Sequence, residues 1–212
     1  MRLYLSSQGL GDHADRLLEM VGENKKTLLI DNAKDYLPVG ERAEHVRLKK
    51  QELEQVGLEA EELDLRDYFE KKDGLEKRLE GVGLVFAYGG SAFILRRAMR
   101  YSGFDDLLVE GLMHDRFTYG GSSAGSVVMV PDLHGTELAD EPDLVPAHYE
   151  REVVWKGLGL VDFYVVPHYL SDWFGDKANA MKRYYEEKQL PHHALMDGQV
   201  YVAEGTHQEL LS

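Results

Sequence analysis

Short apolar runs alternate along this chain with segments whose apolar residues recur at helical spacing. Leu3-Tyr4-Leu5 predicts a first strand, followed by a helix from about Asp12 to Val21. Thr27-Leu28-Leu29-Ile30 predicts a second strand, ending at Asp31-Asn32. A long charged helix follows, with Val46, Leu53 and Val56 on one side and Gly57 as its stop. Leu63 and Leu65 mark a weaker strand, and Tyr68 to Leu79 a further helix interrupted at Gly74. Val82-Gly83-Leu84-Val85-Phe86-Ala87 reads as a buried strand. It runs into Tyr88-Gly89-Gly90 and a helix holding Phe93, Ile94, Leu95 and Met99. After another helix from about Phe104 to Met113, Phe117-Thr118-Tyr119 forms a strand that leads into a glycine-rich turn. Phe163-Tyr164-Val165-Val166 is a late strand closed by Pro167-His168-Tyr169.

This alternation predicts βα units. The fold class expected is α/β, a parallel sheet with helices on both faces, because the strands are too uniformly apolar for a sheet with one wet side. Ligands in such sheets gather at the carboxyl ends of the strands, where Gly89-Gly90 and Gly120-Gly121 both fall. Residues Pro131 to Arg151 hold three of the six prolines and many acids, and read as a surface excursion placed to cover that edge. No repeat or linker divides the chain, so its 212 residues are expected to form a single domain.

Composition narrows the function classes. Hydrophobic residues make up 43%, as in a soluble globular protein, and no apolar run approaches the roughly 18 residues of a spanning helix. The polar start of the chain is expected to be a strand and no signal peptide. With no cysteines, this fits a cytoplasmic protein and excludes disulfides, thiolate metal sites and a cysteine nucleophile. The 24 basic and 38 acidic residues give a net charge of −14, which disfavours nucleic acid as a partner. Much of the acidic excess, such as Glu52, Glu54, Glu59, Glu61 and Glu62, is expected on solvated helix faces or their ends.

The candidate chemistry centres on Gly121-Ser122-Ser123-Ala124-Gly125, a G-x-S-x-G pattern between strand and helix. Such a turn holds its serine in a strained, exposed nucleophile elbow. Ser123 then needs a base. Of nine histidines, His168 follows a strand and would share the edge with Ser123. His13, His45 and His114 fall in helical patterns and are expected on the surface. His134 and His148 lie in the excursion and His207 in the polar tail, while His192-His193 precede a strand and stay open. The third member would orient the imidazole. Asp197 is a candidate, although Asp197-Gly198 between apolar runs is also a hairpin signal; Glu204, Asp162 and Asp172 are rivals. The amide of Ala124 and one from the Gly89-Gly90 turn, taken at Gly90, would form an oxyanion hole. No phosphate-binding glycine pattern is present, and neither a cofactor nor a metal is expected.

In order along the chain, Leu5-Ser6-Ser7, Tyr88-Gly89-Gly90-Ser91-Ala92-Phe93, Gly121-Ser122-Ser123-Ala124-Gly125, Gly157-Leu158-Gly159-Leu160 and Val166-Pro167-His168-Tyr169 stand as a set. This set resembles the aspartyl dipeptidase (dipeptidase E) family of serine peptidases, which includes cyanophycinase relatives. The resemblance implies a fold like that of class I glutamine amidotransferases and a Ser-His-Glu triad in that chain order. It implies Asp197 where the family has glutamate, with Glu204 as the fallback. Two departures bear on substrate. The family's Asn-Thr pair is Ser91-Ala92 here. Its arginine-rich segment, associated with an acidic substrate side chain, reads Lys177, Lys182 and Arg183. A lysine pairs with a carboxylate without the guanidinium's fork. The implied activity is hydrolysis of a small peptide with an N-terminal aspartate, with Ser91 and Lys177 as substrate-binding positions. An esterase or other acyl hydrolase with the same triad, and a non-catalytic amidotransferase-like binding module, remain alternatives. The chain as monomer or homodimer is left open.

Overall fold

The computed structural model describes residues 1–69 and 73–212. Its strands are β1 Arg2–Ser6, β2 Lys26–Ile30, β3 Glu59–Glu62, β4 Leu84–Ala87, β5 Thr118–Ser122, β6 Tyr164–Val166, β7 His192–Ala194, β8 Val200–Glu204 and β9 His207–Leu211. Its helices are α1 Ala14–Val21, α2 Val39–Gln55, α3 Leu75–Arg78, α4 Ala92–Ser102, α5 Phe104–Met113, α6 Ala124–Val127 and α7 Gly175–Glu187. Seven strands form one sheet in the order β3-β2-β4-β5-β1-β8-β9. The first five run parallel, while β8 is antiparallel to β1 and β9 to β8. β6 and β7 form a separate parallel pair.

The uniform apolarity of the strands has a direct cause. Successive side chains point to opposite faces, and each face carries its own core. Leu3, Leu5, Leu28, Ile30, Val85 and Ala87 pack with α4, α5, α6 and α7. Tyr4, Leu29, Leu84 and Phe86, the residues between them, pack with α1 and α2. From Leu3 to Leu5 and along β4 a residue on either face is therefore fully buried, and burial of one such apolar side chain contributes roughly 1.5–3 kcal/mol. Helix α2 is mostly solvated; Arg42, Val46 and Leu53 form its buried stripe.

Three local expectations change. The strand expected at Leu63 and Leu65 lies earlier, at β3, where Ala60 is the buried residue of an edge strand; Leu65–Tyr68 is a 3-10 turn instead. Edge strands tolerate the charges at Glu59, Glu61 and Glu62 because one side is wet. Of the helix expected from Tyr68 to Leu79, the described residues are α-helical over α3 alone, since Tyr68 ends the 3-10 turn and Gly74 caps the start of α3; Glu70, Lys71 and Lys72 lie outside the described residues. Asp197-Gly198 does not close a hairpin, because the flanking strands β7 and β8 belong to different sheets. The hairpin of this region joins β8 to β9.

Register decides what reaches the site. Ser6 pairs with Ser122 and Ala87 with Gly121, so β1, β4 and β5 end level. Antiparallel β8 starts where β1 ends, with Ser6 opposite Val200, and Arg2 opposite Glu204 at the far edge. At about 3.4 Å per residue, Glu204 is carried roughly 14 Å along β8 from the edge where Asp197 lies.

Candidate active site

Ser123 follows β5 directly and begins α6. Its backbone has φ 52° and ψ −112°, a conformation that costs a non-glycine residue of order 1–3 kcal/mol. The turn survives because its surroundings hold it. The Ser123 amide donates to Ser6 O at 3.1 Å, and the Ser126 hydroxyl lies 2.8 Å from both Ser6 O and Gly121 O. The β4 turn presses against Ser123: a Cβ on Gly89 would stand 2.8 Å from Ser123 Cβ and 3.2 Å from its Oγ.

His168 comes two residues after β6 and Asp197 three residues after β7. Because β6 and β7 are parallel neighbours, with Val166 opposite Ala194, both residues leave the same end of the pair. The pairing continues past the strands, with Leu195 N donating to Val166 O at 2.8 Å and Tyr169 N to Leu195 O at 2.9 Å. The two side chains meet: His168 Nδ1 lies 2.7 Å from Asp197 Oδ1, and His168 Nε2 lies 2.9 Å from Ser123 Oγ. An Nδ1–H donated to the carboxylate leaves Nε2 to accept the serine proton. His168 is buried, with the rings of Trp173 and Phe174 centred 4.5 and 5.3 Å from its own. Burial pushes its pKa below the ordinary histidine value, opposed by the hydrogen bond and charge of Asp197.

These groups stand at a cleft of about 460 Å³. Gly90, Ser91, Ala124 and Lys177 line it along with Ser123 and His168. The amides of Gly90 and Ala124 have no protein acceptor among the described residues. Ser91 caps α4, its Oγ accepting from Ile94 N at 3.4 Å, and Lys177 Nζ donates to Ala139 O at 2.9 Å. Glu204 is absent from this group; it pairs with Arg16 at 2.7 Å. Among the described residues no cluster of three or more acidic, histidine or cysteine side chains is arranged to hold a metal ion. No described helix is long and apolar enough to cross a membrane.

Two cleft-related residues escaped the sequence. The Ser7 hydroxyl sits 2.9 Å from Asp197 Oδ1 and accepts the His168 amide at 2.8 Å. No pattern within β1 announces that, since both partners lie more than 160 residues away. His45, expected on the surface, lines the cleft with Nδ1 2.8 Å from the fully buried Asp31. Its place beside Val46, on the buried stripe of α2, was the available signal. The excursion brings Thr136, Ala139, Asp140 and Leu144 to the cleft, forming one of its walls.

Known peptidases resemble this chain in sequence and in fold. A family model described as peptidase family S51 matches residues 4–211. An uncharacterized peptidase of Listeria innocua is 30% identical over 125 residues, 59% of this chain and 56% of the relative. A "probable alpha-aspartyl dipeptidase" of Drosophila melanogaster is 31% identical over 106 residues, 50% of this chain and 41% of the relative. The chain thus spans about half the length of these two relatives. The crystal structure of a Listeria monocytogenes protein provisionally named peptidase E superposes with a TM-score of 0.80 at 24% identity, covering 100% of this chain and 98% of that one. This likeness extends to the α/β fold with its mostly parallel sheet.

Proposed function

We propose, because this chain belongs to peptidase family S51, that it is a serine peptidase of the dipeptidase E type in which Ser123, His168 and Asp197 form the triad. The observation that carries the reading is the continuous hydrogen-bonded line from Ser123 Oγ through the imidazole to Asp197, with links of 2.9 and 2.7 Å. Such distances are those of a nucleophile, its base and an orienting acid.

In the proposed reaction His168 Nε2 takes the Ser123 proton as Oγ attacks the scissile carbonyl. The amides of Gly90 and Ala124 receive the developing oxyanion. Asp197 holds Nδ1–H and stabilises the imidazolium. The proton on Nε2 passes to the leaving amine as the carbon–nitrogen bond breaks. Water then repeats the sequence on the acyl-serine, releasing the acid and restoring Ser123.

The substrate proposed is a small peptide with an N-terminal aspartate. Lys177 on the cleft wall supports an acidic side chain there, as does the name of the Drosophila relative. Ser123→Ala is the test. Loss of all but about 0.1% of the turnover of an aspartyl p-nitroanilide, with an unchanged circular dichroism spectrum, is expected; retained turnover refutes the mechanism. Cleavage of aryl esters without any cleavage of aspartyl amides refutes the substrate class.

A further inference from the structure

Trp173 lines the cleft, yet 62% of its surface stays exposed. A tryptophan is ordinarily well buried, because its ring is among the largest apolar surfaces a chain carries. This indole stands beside the triad. Its ring centre lies 4.5 Å from that of His168, and Phe174 extends the aromatic surface at 5.3 Å from both rings.

The ring is carried by a turn that is firmly held. Ser171 N donates to His168 O at 3.1 Å, Phe174 N to Ser171 Oγ at 3.2 Å and Gly175 N to Ser171 O at 2.8 Å. These bonds bracket Trp173 between His168 and the start of α7. His168 and Leu170 have φ of 59° and 61°, a conformation that persists in non-glycine residues only where the surroundings impose it. The fold thus keeps a large aromatic face fixed in water next to the imidazole.

We infer that Trp173 is the platform for the residue on the leaving side of the scissile bond and makes the enzyme select a large apolar or aromatic residue there. The inference rests on the proposed function, since it takes His168 as the acid that protonates the leaving amine. That step brings the leaving nitrogen within about 3.2 Å of Nε2. The leaving residue's Cβ is two bonds from that nitrogen, so its side chain emerges beside the imidazole, where the indole lies. The acyl half is directed elsewhere. Its oxyanion goes to the amides of Gly90 and Ala124, and its aspartate side chain to Lys177, whose Nζ turns toward the excursion at Ala139. Covering the indole takes apolar surface of both partners out of water, and an aromatic leaving residue adds ring-to-ring attraction. A leaving glycine offers neither.

Trp173→Ala tests this on the dipeptides Asp-Phe and Asp-Gly, with Trp173→Phe as the conservative control. The native enzyme is expected to favour Asp-Phe about 10-fold or more in kcat/KM, and Trp173→Ala to bring the two within about 2-fold, while Trp173→Phe keeps most of the preference. No preference in the native enzyme overturns the inference. So does an unchanged ratio in Trp173→Ala, even with both rates lowered and the acid limb of the pH profile moved up, which would make the indole only a cover for His168. Binding gives a readout independent of turnover. L-Phenylalanine and glycine, the leaving residues alone, are titrated into Ser123→Ala while tryptophan emission is followed. The chain has two tryptophans, and the other, Trp155, packs on Phe93 and His134. A response to phenylalanine and none to glycine, lost in Ser123→Ala/Trp173→Phe, supports the assignment. No response to phenylalanine, equal responses, or a response that survives without Trp173 overturns it. Failure to cleave either dipeptide, or hydrolysis persisting in Ser123→Ala, counts against the proposed substrate or triad alone, and the titration still judges Trp173.

Discussion

The Ser7 hydroxyl lies 2.9 Å from Oδ1 of Asp197, tying the residue after β1 to the carboxylate that follows β7. The same oxygen accepts the His168 amide, so one small side chain fixes both the acid and the backbone of the base. Its neighbour Leu195 O, at 3.1 Å, competes for the single hydroxyl proton. Ser7→Ala should lower kcat about 10-fold with KM nearly constant, since an orienting contact is lost and no substrate contact is. Steady-state kinetics on the aspartyl anilide check this; a change confined to KM would assign Ser7 to binding.

Acid sensitivity follows from His168. In the proposed mechanism the neutral imidazole is the working base, and burial favours the neutral form, lowering the pKa from its usual 6.5. Activity should therefore hold as pH falls to 6.5 and decline only below it. Asp197→Asn removes the charge that opposes this shift, so its acid limb should move lower still while kcat drops roughly 10²–10⁴-fold through the wrong tautomer. The pH profiles of kcat/KM for both proteins decide it, and a native acid limb above 6.5 would refute the account.

Gly125 has no room for a side chain. A Cβ there would lie 2.1 Å from Ala87 O, a backbone atom of β4 that cannot step aside. Gly125→Ala should destabilise the protein by about 3 kcal/mol or more, lowering Tm by roughly 6–12 °C at this chain length. Differential scanning calorimetry gives the value; a Tm within about 2 °C of native would show that the turn can relax.

Arg97 is expected to hold the cleft wall. Replacing it by methionine keeps the apolar stem but leaves the carbonyls of Pro142 and Glu152 without their donor. We expect a loss of about 2–4 kcal/mol and new protease cleavage between Pro142 and Glu152, with KM raised more than kcat is lowered. Limited proteolysis followed by mass spectrometry locates the cuts, and cuts elsewhere would contradict the assignment.

Most of the architecture was readable because the sheet is covered on both sides. The middle of β1, the end of β2 and all of β4 had to be apolar on both faces, which made their runs unmistakable. The edge strand β3 was misread for the same reason in reverse, since only Ala60 needed burial and the nearby leucines drew attention. His45 was misplaced because a helix with a narrow buried stripe shows little about residues on its margin.

Within the site, the glycine-flanked serine and the histidine after an apolar strand were visible in the chain itself. Local chemistry demands them: a sharp turn needs its glycines, and a strand end defines an edge. The choice between Asp197 and Glu204 was not local. Pairing of β8 with β1 takes Glu204 to the far edge, and the parallel β6–β7 pair delivers His168 and Asp197 side by side. Ser7, Asp140 and Arg97 acquire their positions the same way, through contacts across scores of residues. The sequence by itself determined which segments could be strands, helices and a serine turn, because those follow from neighbours along the chain. Tertiary structure alone decided which carboxylates face the cleft, because register and crossover connections, and no local pattern, set the distances between remote side chains.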